Sequence, residues 1–132
     1  MKKIAIVIGL AIVAIGGLMF MGSSNPTVNK NVAFAQVQQE VKKDATLYDV
    51  RTPEEFSAGH FQNATLLPLQ DIQAGKLPKE AKDKKLYVYC RSGNRSSQAK
   101  ALLEKAGYTD VVDLGGLSDV QAAGGKLITK EG

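Results

Sequence analysis

The feature that most limits the fold of this chain is a strand that leads directly into a loop and then into a helix. Residues 86–89, Leu-Tyr-Val-Tyr, are typical of a buried strand. Residues 96–106 place apolar side chains at helical spacing and end before Gly107, a common helix stop. A strand, a tight loop and a helix in this order are typical of sheets whose strands run parallel.

Weaker sequence patterns before and after this unit predict further strands that alternate with helices. Further strands are predicted at 47–50, 64–67 and 110–114. Short helices are predicted around 37–41, at 53–56, at 69–72 and from 118 to the Gly124-Gly125 turn. The sequence therefore predicts an α/β fold: one domain with a small, mainly parallel sheet flanked by helices.

The second predicted helix has a clear start. Thr52 is expected to cap it, Pro53 occupies the first helical position, and Glu55 stands three residues after the cap. Phe56 is expected to be the buried residue of this turn.

The chain begins with a leader. Lys2 and Lys3 precede residues 4–21, an uncharged run of 18 apolar or glycine residues. Signal-peptide cores have about 7–15 such residues, and membrane-spanning helices have roughly 17–25. We expect residues 1–24 to be a signal peptide or an N-terminal membrane anchor, with a buried core helix as the alternative.

A linker at 25–35 and one domain at 36–132 are expected to follow this leader. The domain is expected to be exported, to the periplasm or the outer face of the cytoplasmic membrane, and to be attached to the membrane if the leader is uncleaved.

The net charge of +4 belongs mainly to this first part of the chain. Three of the 17 basic residues precede Gln36 and all 13 acidic residues follow it, so the net charge from Gln36 onward is +1. Nucleic-acid binding, which needs a basic surface on the folded domain, is not expected.

The only cysteine, Cys90, follows the clearest strand. In an exported chain it cannot form an internal disulfide, so it is inert and buried, paired with another molecule, or reactive. Its position favours reactivity, because backbone N–H groups converge on anions where a strand, a loop and a helix N-terminus meet. Gly93 gives the loop its conformational freedom, and Arg91 and Arg95 add positive charge, which favours thiolate over thiol. We therefore predict that Cys90 is a nucleophile.

A partner base for this thiol is not evident. His60 is the only histidine, and we expect it to be a turn or packing residue, although a Cys–His pair stays open. One cysteine and one histidine fall short of the usual set of metal ligands, and the sequence has no phosphate-loop or dinucleotide fingerprint, so neither a metal nor a cofactor is expected.

Three motifs, in this order, resemble those of rhodanese domains. The first is Asp-Val-Arg-Thr-Pro-Glu-Glu-Phe at 49–56 with Gly-His-Phe at 59–61, and the second is Val-Tyr-Cys-Arg-Ser-Gly-Asn-Arg-Ser at 88–96. The third comprises Gly-Tyr at 107–108, Val111 and Gly-Gly-Leu at 115–117. The resemblance covers residues 36–132. The chain differs from the family pattern at two places. Residues 62–64 are Gln-Asn-Ala where the family often has Pro-Gly-Ala, and Val120 stands where the family often has tryptophan.

The resemblance is to small exported bacterial rhodaneses and implies a thiosulfate sulfurtransferase. Cys90 would take sulfane sulfur from thiosulfate or a persulfide donor, hold it as a persulfide, and pass it to a thiol or to cyanide. The implied partners are thus a small anionic donor and a thiophilic acceptor, and we expect a monomer. Asp49 and Arg51 are expected to support the strand ends, and Arg95 either binds substrate or braces the loop. The substrate-binding residues are expected to be Arg91, Ser92, Gly93, Asn94, Arg95 and Ser96.

Two other functions stay open. A sulfur-carrier module without turnover would use the same thiolate, and only turnover with thiosulfate and cyanide separates it from an enzyme. A cysteine phosphatase or arsenate reductase is disfavoured, because such loops usually place five residues between cysteine and arginine. Here four residues separate Cys90 from Arg95.

Overall fold

The computed structural model describes residues 32–129. The leader expected at 1–24 and most of the linker expected at 25–35 lie outside the described residues. Helix α1 begins at Phe34, two residues before the domain boundary drawn at Gln36. The cause is the ring of Phe34, which is buried against Phe61 with the two centroids 5.5 Å apart. Phe34 and Ala35, within the range expected for the linker, thus belong to α1.

Helices and strands alternate through the described residues. The helices are α1 Phe34–Lys43, α2 Pro53–Ala58, α3 Leu69–Gln73, α4 Asn94–Lys105 and α5 Leu117–Ala122. The strands are β1 Thr46–Asp49, β2 His60–Phe61, β3 Ala64–Leu66, β4 Leu86–Tyr89, β5 Val111–Gly115 and β6 Leu127–Ile128. None of the helices within 32–129 combines the length and the apolarity needed to cross a bilayer.

Four of the strands form a parallel sheet in the order β3-β1-β4-β5, which confirms the predicted fold class. Strand β4 lies inside the sheet, paired with β1 on one side and β5 on the other. The carboxyl ends of parallel strands meet at one edge, and Cys90 follows β4 at that edge.

The sheet separates two hydrophobic layers. Leu86 and Val88 of β4 face the layer that contains α3 and α4, whereas Tyr87 and Tyr89 face the layer that contains α1 and α5. All four are buried, as expected for a strand covered on both faces. Val120, which stands where the resemblance often has tryptophan, is 2% exposed and packs in the second layer.

The cap of α2 is confirmed, but its expected buried residue is wrong. Thr52 Oγ1 accepts from the Glu55 N–H at 3.2 Å, and Glu55 Oε1 accepts from the Thr52 N–H at 3.3 Å. Phe56 is only half-buried, because its ring stacks on His60 at the surface with centroids 3.9 Å apart.

A second, two-stranded sheet was not predicted. Strand β2 pairs antiparallel with β6, which places Leu127 opposite Phe61. Asn63, which follows β2, has a φ of +64°. Glycine adopts this left-handed conformation most readily and asparagine tolerates it, which explains Asn63 at a position where glycine is often found.

Candidate active site

Cys90 lies at the carboxyl end of β4 and is fully buried. Its backbone N–H donates to the Gly115 carbonyl at 2.9 Å, so the neighbouring strand β5 fixes the point where the chain leaves the sheet. The pairing of β4 with β5 shifts register between Val88 and Tyr89, just before this point. The backbone of Cys90 is therefore fixed by the sheet at the point where the loop begins.

The loop after Cys90 bends back over the sulfur. The Gly93 N–H donates to Cys90 Sγ at 3.0 Å, and the thiol lies 3.4 Å from Ser96 Oγ. Gly93 has a φ of +98° and immediately precedes α4, so the N-terminus of a 12-residue helix faces the sulfur. Amides and the helix dipole at this position stabilise negative charge on sulfur.

The other predicted loop residues differ in exposure. Arg91, Ser92 and Asn94 are exposed, Arg95 is half-buried, and Ser96 is buried. The predicted loop thus turns its Gly93 N–H toward Cys90, while the Arg91 side chain is exposed and the Arg95 side chain is half-buried.

The turn after β5 closes the loop from the other side. Ser92 forms an antiparallel bridge with Gly116, and the Leu117 N–H donates to the Arg91 carbonyl at 3.0 Å. A Cβ on Gly116 would lie 2.6 Å from the Arg91 carbonyl oxygen and 2.9 Å from Ser92 Cα. Only glycine allows this close approach, so Gly116, directly after β5, is part of the site.

Asp49 and Arg51, the predicted supporting residues, form a buried ion pair under the strand ends. Arg51 donates to both Asp49 oxygens, at 3.0 Å from Nε to Oδ1 and 2.7 Å from a terminal nitrogen to Oδ2, and also to the Gly59 carbonyl. Tyr89 donates its hydroxyl hydrogen to Asp49 at 2.8 Å and accepts from the Phe61 N–H at 3.2 Å. Burial, followed by the charge of Asp49, raises the pKa of Tyr89 well above its ordinary value, so the hydroxyl stays a donor.

Sequence reasoning placed Asp49 and Arg51 but missed Tyr89. The position of Tyr89 in a strand typical of burial predicted a buried ring, but it did not predict which groups the Tyr89 hydroxyl contacts. His60, by contrast, behaves as expected: its Nδ1 lies 3.0 Å from the Phe56 carbonyl oxygen and its ring packs on Phe56.

Arg95 forms a two-point ion pair with Glu55, at 2.6 and 2.9 Å. The same carboxylate caps α2, so one side chain ties the start of α2 to the first turn of α4. Hydrogen bonding from Arg95, opposed in part by burial, lowers the pKa of Glu55 to about 2. The structure therefore places the Arg95 guanidinium in a bracing position, and a contact with substrate stays a prediction.

We expect this ion pair to make stability depend on pH at the acidic end. Because the folded-state pKa of Glu55 is depressed from 4.5 to about 2, its stabilisation is present above 4.5 and is lost as the pH falls toward 2. R95M should cost roughly 1–2 kcal/mol in urea unfolding at pH 7, and less at pH 3. E54Q, which removes an exposed carboxylate from the same turn, is the control. An equal cost of R95M at both pH values would contradict the expectation.

Two small clefts open on either side of the loop. One, of about 190 Å³, is lined by Arg51, Pro68, Leu69, Gln70, Gln73 and Arg95 among others. The other, of about 250 Å³, is lined by Arg51, Glu55, Gly59, Arg91, Leu117 and Leu127 among others. Each cleft has an arginine from the loop and apolar walls, which suits a small anion or a thiol. Within residues 32–129 no group of three or more histidine, cysteine or carboxylate side chains lies close enough to hold a metal ion.

Comparison with known proteins gives a consistent result. The family model described as "Rhodanese-like domain" matches residues 33–123. The chain is 39% identical over 74 residues to the thiosulfate sulfurtransferase PspE of Escherichia coli (strain K12), covering 54% of this chain and 70% of that protein. It is 38% identical over 93 residues to a sulfurtransferase of Allochromatium vinosum, covering 68% of this chain and 84% of the relative.

Solved structures extend the similarity to the fold. The crystal structure of the Alr3790 protein from Anabaena sp. superposes with a TM-score of 0.61 at 30% identity, over 72% of this chain and 78% of that one. A structure described as rhodanese with anions from E. coli superposes with a TM-score of 0.50 at 38% identity, over 57% of this chain and 89% of that one. The family match includes β4, the loop that holds Cys90, and the Gly115-Gly116 turn.

Proposed function

The chain belongs to the rhodanese-like domain family, and we propose that it transfers sulfane sulfur from thiosulfate through a persulfide on Cys90, since its relatives in E. coli and Allochromatium vinosum are named as sulfurtransferases. The observation that carries the proposal is the Gly93 N–H at 3.0 Å from a fully buried sulfur at the N-terminus of α4. A group held in this way is stabilised as an anion and is aligned for attack.

The reaction has two displacements. The Cys90 thiolate attacks the outer sulfur of thiosulfate, the new Sγ–S bond forms, and the S–S bond of thiosulfate breaks with its electron pair leaving on sulfite. A thiophile then attacks the terminal sulfur, and Cys90 leaves as the thiolate. With cyanide the product is thiocyanate, and with a thiol it is a persulfide.

The residues of this chain have separate tasks in this scheme. The Gly93 N–H and the α4 N-terminus offset the negative charge on sulfur, and the exposed Arg91 attracts the anionic donor. Arg95 keeps the loop in place through Glu55. Four residues separate Cys90 from Arg95, one fewer than in the usual cysteine phosphatase loop, which favours a sulfur atom over a tetrahedral oxyanion as the bound group.

Intact-protein mass spectrometry after thiosulfate treatment tests the proposal. We expect the gain of one sulfur atom in the wild type, its removal by cyanide, and no gain in C90S. Steady-state turnover with thiosulfate and cyanide distinguishes the enzyme from a carrier. A folded wild-type protein that gains no sulfur would refute the persulfide, and loading without turnover would favour the carrier.

We expect R91A to raise KM for thiosulfate with little change in kcat. The side chain is exposed and lines the 250 Å³ cleft, while the Arg91 backbone carbonyl is held by Leu117 whatever the side chain. The attraction between a charge near the protein surface and an anionic substrate is about 1 kcal/mol, which corresponds to roughly a three- to tenfold change in KM. K105A, at the far end of α4, is the matched control. Kinetics identical to the wild type would show that Arg91 does not attract the donor.

We propose that the domain is exported by the leader at 1–24, in keeping with the two lysines and the apolar run at 4–21. Fractionation of cells into cytoplasm, membrane and periplasm tests this proposal, and the intact mass of the native protein shows whether the leader is removed. Recovery of the full-length protein in the cytoplasmic fraction would contradict export.

A further inference from the structure

A groove between α1 and β6 has no task in the proposed reaction. Its volume is about 540 Å³, and its walls include Phe34, Gln38, Gln62, Lys126, Leu127 and Ile128. Strand β6 pairs with β2 on one side, and no strand among residues 32–129 pairs with its other side. A strand edge of this kind can receive an extended polypeptide.

The apolar side chains beside this edge are open to solvent. Ile128 is 46% exposed, and the only other large apolar side chain as open among residues 32–129 is Leu77, at 39%. Ile128 stands opposite His60 in the pairing of β6 with β2, so the two side chains share a face, and Phe56 stacks on His60. Neither hydrophobic layer includes Phe56 or Ile128, so core packing does not account for them. The name β6 surface is used below for Phe56, His60, Lys126, Leu127 and Ile128.

The β6 surface reaches the Cys90 loop through Leu127. This residue lines both the 540 Å³ groove and the 250 Å³ cleft, which Arg91 and Leu117 also line. The Leu117 N–H donates to the Arg91 carbonyl at 3.0 Å, so the wall of that cleft is joined to the loop. A molecule bound to the β6 surface can therefore extend to the residue next to Cys90.

The burial of Cys90 limits which protein thiols can reach its sulfur. Because Cys90 is fully buried, a thiol on a flat protein surface stays too far away to react with a sulfur at this position. A cysteine within an extended segment projects its thiol away from the backbone, so it can enter a small cleft while its neighbours bind outside. A small free thiol also fits the cleft, but it leaves the β6 surface without a task.

The charges along this path favour an acidic segment. Arg91 and Lys126 are exposed, at the cleft and at the groove respectively. The carboxylate that lines the cleft, that of Glu55, is engaged by Arg95 at 2.6 and 2.9 Å. Complementary charge steers a partner and disfavours one of the same sign.

We propose that the β6 surface binds an extended, acidic segment of an acceptor protein, whose cysteine takes sulfur from Cys90. This inference rests on the proposed function, because the sulfur passed on is that of the Cys90 persulfide. The acceptor thiolate attacks the terminal sulfur, a new S–S bond forms on the acceptor, and the bond to Cys90 Sγ breaks with its electron pair on Cys90. The acceptor becomes a persulfide, and no oxidant or reductant is consumed.

Two peptides, Ac-Asp-Leu-Cys-Leu-Asp-amide and Ac-Lys-Leu-Cys-Leu-Lys-amide, test the proposal by removing sulfur from the loaded full-length protein. We expect the acidic peptide to react at least about threefold faster below saturation. I128S and K126E should each slow it by roughly three- to tenfold and leave discharge by cyanide unchanged. L77S, at the other exposed apolar side chain, and K79E, at an exposed lysine outside the groove, are the matched controls and should behave as the wild type.

Binding measured without sulfur chemistry separates this proposal from the proposed function. A fluorescein-labelled acidic peptide with serine in place of cysteine has no thiol, and its fluorescence anisotropy reports binding whether or not Cys90 can be loaded. Binding that I128S and K126E weaken, and that the controls do not, would support the β6 surface even if no persulfide formed.

Three outcomes would overturn the proposal while leaving the persulfide reaction in place. They are equal reaction of the two peptides, equal effects of I128S and L77S, and absence of binding by a protein that loads sulfur. Sedimentation of the protein alone provides a further check. A dimer that I128S dissociates would show that a second copy covers the β6 surface, and would overturn the proposal as well.

Discussion

Replacing Cys90 with serine is expected to abolish thiosulfate sulfurtransfer, with a loss of at least about 10³-fold in kcat/KM. A hydroxyl remains protonated where a thiol ionises, and its oxygen cannot carry sulfane sulfur. The thiolate is the group that both attacks and leaves in the proposed scheme, so no other residue among those near it can replace it.

The same substitution should leave the fold intact. Cys90 is fully buried, and serine is slightly smaller and can still accept from the Gly93 N–H. We expect a cost below about 1.5 kcal/mol and a Tm lowered by a few degrees. Circular dichroism with thermal unfolding provides the control for the assay. Substantial turnover by folded C90S would remove Cys90 from the mechanism.

Replacing Arg51 with methionine should have the largest effect on stability, about 3–5 kcal/mol. Arg51 is 4% exposed and Asp49 is fully buried, so the variant leaves a buried carboxylate without its partner. Because small domains have a total stability of about 5–15 kcal/mol, R51M would be partly unfolded at moderate temperature. Urea unfolding at pH 7 measures the difference.

A double variant separates the ion pair from general packing. In D49N/R51M no uncompensated charge remains, so we expect it to be more stable than R51M alone, although both residues are changed. R91M, a matched substitution at an exposed arginine, should cost within about 0.5 kcal/mol. A cost of R51M as small as that of R91M would show that the pair does not hold the strand ends together.

Much of the fold could be predicted because its strongest elements are local. The strand at 86–89, the helix that follows the loop and the Thr52–Glu55 cap depend on neighbouring residues, and the structure has all three. The Cys90 loop could be predicted for the same reason, because strand, loop and helix are contiguous.

The remainder depends on residues that are distant in sequence. The capping box alone accounts for a glutamate at position 55. Its ion pair with Arg95, 40 positions later, depends on the packing of α2 against α4 and could not be predicted from the sequence. Strand β6 has two residues and no periodicity, so its pairing with β2 could not be predicted from the sequence. The close approach of Gly116 to Arg91 is a property of the assembled turn, and the sequence showed only two adjacent glycines.

The Gly115–Leu117 segment, which holds the backbone of Cys90 and Arg91, comes about 25 residues after the thiol in the chain. A ribosome therefore synthesises Cys90 before the segment that holds its loop. A nascent polypeptide carries an ordinary cysteine, without the aligned amides that distinguish the finished protein. We therefore expect a product truncated before Gly115 to lack the contacts that hold the Cys90 loop and to load no sulfur from thiosulfate.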